Sequence, residues 1–282
     1  MRYKIVADST SNMFSLKDVS FDYVPMKIIT SEKEYEDTPA LNVPGMVEDL
    51  KKIKGTSGTS CPNVHDWIQA FGDADCVFAV TITGTLSGSY AAANQAKNDY
   101  EESHPGAQVY IVDSLSAGPE MRLIVEELRA CILKGMHFSD IVKHIQNYQQ
   151  HTHLMFSLQS LTNLANNGRV SPAVAKIAGI IGIRVVGRAS DEGTLQPMHK
   201  CRGEKKALDT ILSEMKAMGL GSKKTRIAHC FNPESAQTLK DMILKEFPGS
   251  DIEIEPTTAL CSYYAEAGGL MIGFEDADTV NA

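Results

Sequence analysis

The 282-residue sequence lacks most of the patterns by which catalytic or metal-binding chains are recognised. It has no Cys-x-x-Cys and no paired histidine ligand motif; its six cysteines, Cys61, Cys76, Cys131, Cys201, Cys230 and Cys261, are dispersed. That spacing speaks for structural thiols in a reducing compartment and against a zinc site. No Gly-x-x-x-x-Gly-Lys-Ser/Thr loop is present, which removes the P-loop nucleotide enzymes, and nothing else calls for a cofactor. No apolar run approaches the ~20 residues a bilayer span needs, so stable membrane insertion is not expected. Met1 to Asp8 enter a strand-like pattern directly, without the apolar core and cleavage site of a signal peptide, which predicts a cytoplasmic protein. A formal charge of -8 leaves no basic stripe for nucleic acid and points to small ligands or proteins as partners.

What the chain does have is a set of short hydroxyl-rich segments. Asp8-Ser9-Thr10, Thr56 to Ser60, Thr83 to Ser89, Asp113-Ser114 and Asn167 to Ser171 each stand where a strand pattern gives way to a helix or turn. Hydroxyls and free backbone N–H groups at helix starts cradle an anion, and a guanidinium opposite balances its charge. The same serines and threonines also serve as ordinary helix caps, which accounts for about half of such residues.

With 43% hydrophobic and 22% charged residues the chain buries a proper core, and its length favours two domains. In the first half, strand patterns at Tyr3–Ala7, Tyr23–Ile29, Cys76–Ile82 and Val109–Val112 alternate with helical ones near Val43–Ile53, Val64–Phe71, Tyr90–Glu102, Met121–Leu133 and Ser139–Gln149. This predicts an α/β domain over residues 1–152, three-layered (α/β/α) about a parallel sheet. Asp8-Ser9, Thr83 to Ser89 and Asp113-Ser114 fall at the carboxyl ends of strands, where open sheets bind ligands. Residues 153–282 predict a second, two-layer α+β domain with a mixed sheet: strands near Leu154–Leu158, Ile183–Gly187, Leu195–Lys200, Thr225–Phe231, Asp251–Glu255 and Leu270–Phe274, helices near Ala173–Ile180, Glu204–Met218 and Glu234–Phe247, and a hairpin at Asp191-Glu192-Gly193.

Six segments in order carry a resemblance: Val6-Ala7-Asp8-Ser9, Thr59-Ser60-Cys61-Pro62, Leu86-Ser87-Gly88-Ser89-Tyr90, Ile111-Val112-Asp113-Ser114, Asn167-Gly168-Arg169-Val170 and Gly268-Gly269-Leu270-Met271-Ile272-Gly273-Phe274. They resemble the signature segments of the DegV family of bacterial fatty-acid-binding proteins, over essentially the whole chain. The resemblance implies a two-domain lipid-binding carrier, not an enzyme. It places a long-chain fatty acid in an apolar tunnel of the N-terminal domain, the carboxylate near the domain junction, and implies that some relatives present the chain to a separate fatty acid kinase subunit. Carried over by position, the head-group residues are Thr59 or Ser60, Ser87 with the Gly88 backbone, and Arg169. Tyr264 stands where the family has histidine, and Cys61 where it has glutamine; Glu266 adds a negative charge nearby. A phenol donates a hydrogen bond but carries no positive charge. Asp8 and Asp113 are expected to orient loop hydroxyls, since a carboxylate beside a bound anion repels it. Ile28, Ile29, Leu115 and Met121 are candidate tunnel walls.

The competing chemistry is a hydrolase using Ser87 or a phosphate-handling transferase. Gly84-Thr85-Leu86-Ser87-Gly88 misses the nucleophile elbow, because Thr85 stands where glycine is required. His151 and His153 fit a solvent-facing pair at the domain boundary better than a metal site. Lys223-Lys224-Thr225-Arg226 predicts a solvated turn ahead of a strand.

Overall fold

The computed structural model describes residues 1–53, 55–171, 174 and 182–282. The expected helix at Ala173–Ile180 lies, but for Val174, outside them. The first half runs β1 (Tyr3–Asp8), β2 (Ser20–Val24), β3 (Lys27–Thr30), β4 (Glu34–Glu36), α1 (Val43–Leu50), β5 (Ser57–Ser60), α2 (Val64–Phe71), β6 (Cys76–Thr81), α3 (Ser89–Ser103), β7 (Gln108–Asp113), α4 (Pro119–Leu133) and α5 (Phe138–Tyr148). Strands β2-β1-β6-β7 form a four-stranded parallel sheet. Cys76 to Thr81 of β6 are buried throughout, as a strand covered by helices on both faces must be. One face packs on α2 and α3 through Trp67, Phe71, Ala93 and Tyr100. The other packs on α4 and α5 through Met121, Leu123, Leu128 and Ile145, each of which contributes about 1.5–3 kcal/mol by burial. Helix α2 begins in a capping box in which Asn63 and Asp66 satisfy each other's backbone N–H groups.

The single strand expected over Tyr23–Ile29 is two. Pro25 has no N–H to continue a ladder, and beyond it β3 leaves the parallel sheet to pair with β4 and β5 in a separate three-stranded antiparallel sheet. This small sheet puts Thr59 and Ser60 in a strand of their own.

The second half contains β8 (Thr152–Leu158), α6 (Thr162–Asn166), β9 (Ile183–Ala189), β10 (Leu195–Arg202), α7 (Glu204–Ala217), β11 (Leu220–His229), α8 (Pro233–Glu246), β12 (Asp251–Pro256), α9 (Ala259–Ala265) and β13 (Leu270–Asp276). Six strands make a mixed sheet in the order β10-β9-β8-β13-β11-β12, with the expected hairpin joining β9 to β10. Helices α7 and α8 cover one face. The opposite face meets α4, whose first turn lies on Gly273 of β13: a Cβ there would come within 2.5 Å of the Pro119 and Glu120 backbone, so only glycine fits. Helix α4 therefore belongs to both bodies.

Lys223 to Arg226 are not a solvated turn. They lie in β11, where Lys224 reaches Glu127 at 3.4 Å and Glu275 at 3.5 Å, and Arg226 binds Glu126 and Asp251 at 2.8 and 2.9 Å. Carboxylates of α4 and β13 compensate the buried cations, a pairing the local run cannot reveal. The imidazoles of His151 and His153 both reach Asp276 Oδ2, at 3.1 and 3.4 Å.

Candidate functional site

Helix α9 comes late in the chain, yet Ala259, Leu260 and Tyr263 are packed into the core of the parallel-sheet body. Its position is set by Asp37, a buried carboxylate that accepts the N–H groups of Ala259 (2.8 Å) and Leu260 (3.1 Å) and the hydroxyls of Ser9 and Thr258. Burial raises the Asp37 carboxyl above its ordinary value, and these four donors oppose the rise.

Between α9, the strand-end loops of the first body and β8 of the second lies an apolar cavity of about 80 Å³. Met26, Ile82, Leu86 and Ala117 wall it from one side, Leu154, Phe156, Leu158 and Leu164 from the other, and Leu260, Cys261 and Tyr264 along α9. The cavity thus lies between the two bodies. Ile28, Ile29, Leu115 and Met121 do not line it: Ile28 and Met121 are wholly buried core residues, and Leu115 is on the surface. Nearness in sequence to the loop ends does not fix the direction a side chain faces.

Thr59, Ser87, Arg169 and Tyr264 converge on this cavity from four separate segments. Thr59 Oγ1 and Tyr264 OH share a hydrogen bond of 2.7 Å across 205 residues. Burial pushes the Tyr264 phenol above its ordinary pKa, opposed by the bond to Thr59 and by the charge of Arg169. The half-buried Arg169 donates to the carbonyls of Leu86 (Nε, 3.1 Å) and Asn167, and has no carboxylate partner among the described residues. Gly168, at φ +73°, turns the chain so that Arg169 reaches this position. Ser87 Oγ accepts the Ser89 N–H at 3.3 Å, and no histidine or carboxylate stands in the described cavity wall. Ser60 and Gly88 are not wall residues; Ser60 Oγ donates to the Cys61 carbonyl, and Gly88 is exposed beside Cys61.

The acidic residues are turned to other work. Asp8, fully buried, accepts Ile82 N and Ser89 Oγ at 2.8 Å and Thr10 N at 3.2 Å, tying the loops after β1 and β6 together; burial lifts its pKa to about 6. Asp113 holds the N–H groups of Gly84 and Leu115, both at 3.1 Å. Glu266 faces away from the cavity and accepts Asn163 N at 3.1 Å, at the start of α6. Sequence reasoning missed Asp37 and Tyr263, and singled out Asn167 only as part of the segment that carries Arg169. Tyr263 OH bonds Ser57 Oγ at 2.8 Å and Asn167 Nδ2 at 3.0 Å, bracing β5 against the Arg169 loop. The hydroxyl run at Thr56–Ser60 was the available signal for one side of this brace.

Residues 2–276 match the family model described as "Uncharacterised protein, DegV family". A DegV domain-containing protein of Streptococcus gordonii is 39% identical over 279 residues, covering 98% of this chain and 99% of its own length. Among solved structures, a DegV family protein from Eubacterium eligens, loaded with heptadecanoic acid, is 42% identical, with a TM-score of 0.95 over 97% of this chain and 99% of that one. The fatty acid kinase B3 protein of Streptococcus pneumoniae, loaded with linoleic acid, is 39% identical, with a TM-score of 0.96 over 98% of this chain and 99% of that one. The motifs, the two-domain fold and these matches over nearly full length lead to one identification: the chain belongs to the DegV family.

Proposed function

We propose that this protein is a non-catalytic carrier of a long-chain fatty acid, held with its carboxylate among Thr59, Ser87, Arg169 and Tyr264 and its acyl chain between the two bodies. The observation that carries the reading is the convergence of three hydroxyls and one guanidinium without a carboxylate partner among the described residues on a cavity whose other described walls are almost wholly apolar. A carboxylate leaving water needs charge-assisted hydrogen bonds, and this set supplies them. Each buried methylene adds about 0.8 kcal/mol. The division into residues 1–152, which supply Thr59 and Ser87, and residues 153–282, which supply Arg169 and Tyr264, goes with this proposal, with the ligand shared between the two domains and not confined to the first, as do a supporting role for Ser60 and a backbone contact from Gly88.

Ser87 needs only to donate or accept a hydrogen bond in this role, whereas a nucleophile requires a base within hydrogen-bond reach. The lipid-loaded relatives favour the carrier over the hydrolase and the phosphate-handling transferase. As carrier, the protein presents its ligand to a separate fatty acid kinase subunit in the cytoplasm. Organic extraction of protein purified from cells, with native mass spectrometry before and after, is the direct test. A bound fatty acid is expected; a protein that neither copurifies with a fatty acid nor binds one added in solution rejects the reading. Acyl phosphate formed from the loaded protein only when kinase subunit and ATP are both added tests the presentation step.

A further inference from the structure

Away from the lipid cavity, three side chains of metal-ligating type face one another between α4 and α5. Glu127 and Cys131, four residues apart, share one face of α4, and His144 reaches them from α5. A Glu127 carboxylate oxygen, the Cys131 sulfur and a His144 ring nitrogen all lie within 4.8 Å of one another, with His144 Nε2 at 2.7 Å from Glu127 Oε1. Ligand atoms ~2.0–2.3 Å from a tetrahedral zinc ion stand roughly 3.3–3.8 Å apart, so small side-chain rotations seat an ion among these three. They form no ligand motif in sequence, because the set is completed only by the contact of two helices.

The surrounding charges favour a cation. Glu127 and Glu275 are both wholly buried, and Lys224, at 3.4 and 3.5 Å, is the one lysine or arginine that pairs with either among the described residues. Lys224 lies on Glu127 Oε2, whereas His144 faces Oε1, which also accepts the Ala282 N–H. The lysine thus leaves the oxygen beside His144 to an ion. Burial and the Glu127 charge push the Cys131 thiol up to about 12, so it ionises only where a metal holds the thiolate. A divalent ion and Lys224 then balance the two carboxylates and the thiolate. The partly exposed His144 gives the ion its way in.

We infer that Glu127, Cys131 and His144 form a binding site for a divalent transition-metal ion of the zinc class, with water as the fourth ligand. Thiolate, imidazole and carboxylate together suit zinc or cobalt, and differ from the all-oxygen sets of magnesium and calcium. None of the three lines the lipid cavity, so the inference stands apart from the carrier reading. Its test is titration of the reduced, chelator-treated protein with Co2+, read by the thiolate-to-cobalt charge-transfer absorption in the near ultraviolet. Stoichiometric Co2+ is expected to saturate the band and Zn2+ to remove it, while Zn2+ at about a hundredfold over its Kd raises the melting temperature by several degrees. Cys131→Ala should abolish the band, and His144→Ala should weaken Zn2+ binding at least about tenfold. Cys61→Ala should leave both unchanged, since Cys61 is the one cysteine that is not buried and the one open to adventitious cobalt. Absence of the band, its loss in Cys61→Ala, or wild-type metal affinity in His144→Ala overturns the site. His144 is partly exposed, so its variant decides the question even where Cys131→Ala fails to fold.

Discussion

The two bodies of this protein meet along two seams of opposite chemistry. Along α4 the contact is ionic: Arg122, Glu126, Arg226, Glu253 and Glu255 interlock, and Lys224 bridges Glu127 and Glu275, both wholly buried. Along α9 it is mainly apolar, a slit with hydroxyls and the single Arg169 guanidinium at its mouth. Buried ion pairs hold one geometry, because any shift leaves a charge without its partner. Apolar walls meeting across a slit resist separation far less, and Met26 and Met271 in this wall are flexible enough to repack around a chain.

The sharpest way to break this contrast is to cut the ionic seam. Arg226→Ala takes from the largely buried Glu126 a two-pronged partner that Arg122, at 2.7 Å, only partly replaces, and should destabilise the protein by about 3–5 kcal/mol in urea unfolding. A loss below 1 kcal/mol would mean that the seam is not what fixes the two bodies.

Arg169→Ala addresses the apolar seam. Loss of a charge-assisted hydrogen bond worth ~1.5–3 kcal/mol should weaken fatty-acid binding tenfold or more, while the melting temperature of ligand-free protein stays nearly unchanged. Unchanged affinity removes Arg169 from the site.

The buried carboxyls add a pH dependence. Burial raises Glu120 and Glu255 to about 7 and Asp8 to about 6, so each is harder to ionise folded than unfolded. Their contribution to stability is therefore fully present below the unfolded value near pH 4 and is lost as pH rises through 6 to 7. The His153 imidazole, lowered chiefly by burial, works in the opposite sense as pH falls through its unfolded value. Comparing Glu120→Gln with wild type isolates the carboxyl: between pH 5.5 and 8 the wild type should lose on the order of 2 kcal/mol more than the variant. Parallel profiles would deny Glu120 its part.

The smallest effect is expected from Tyr264→Phe, which removes the hydrogen bond to Thr59 at the mouth of the slit. Thermal unfolding of the ligand-free variant should register about 1 kcal/mol, and fatty-acid affinity should fall a few-fold. A variant as stable as wild type would show that Thr59 finds water instead.

Much of the fold was legible. Fully buried β6 reads as an apolar run, and the turn Asp191-Glu192-Gly193 reads as a hairpin, because both are encoded by neighbours in sequence. The hydroxyl segments Asp8-Ser9, Thr83–Ser89 and Asp113-Ser114 fall at strand ends for the same reason. What stayed hidden depends on distant partners. The break at Pro25 makes sense only with β5 present as a partner for β3. The cations of β11 look solvated until Glu127 and Glu275 are brought to them. Thr59, Ser87, Arg169 and Tyr264 could be named by resemblance, but the wall they share is assembled from both bodies, and no local pattern specifies which faces meet.

The return of α9 into the first body also bears on how the chain is made. The parallel sheet is complete at Asp113, whereas α9 begins at Ala259, so roughly 150 residues of synthesis separate the sheet from the helix that finishes its core; at ~5–20 residues per second this is about 7–30 s. During that interval the core that Leu260 and Tyr263 complete lacks these two side chains. Contacts between such distant segments are slow to close, so the lipid cavity is expected to be the last part of the molecule to take shape.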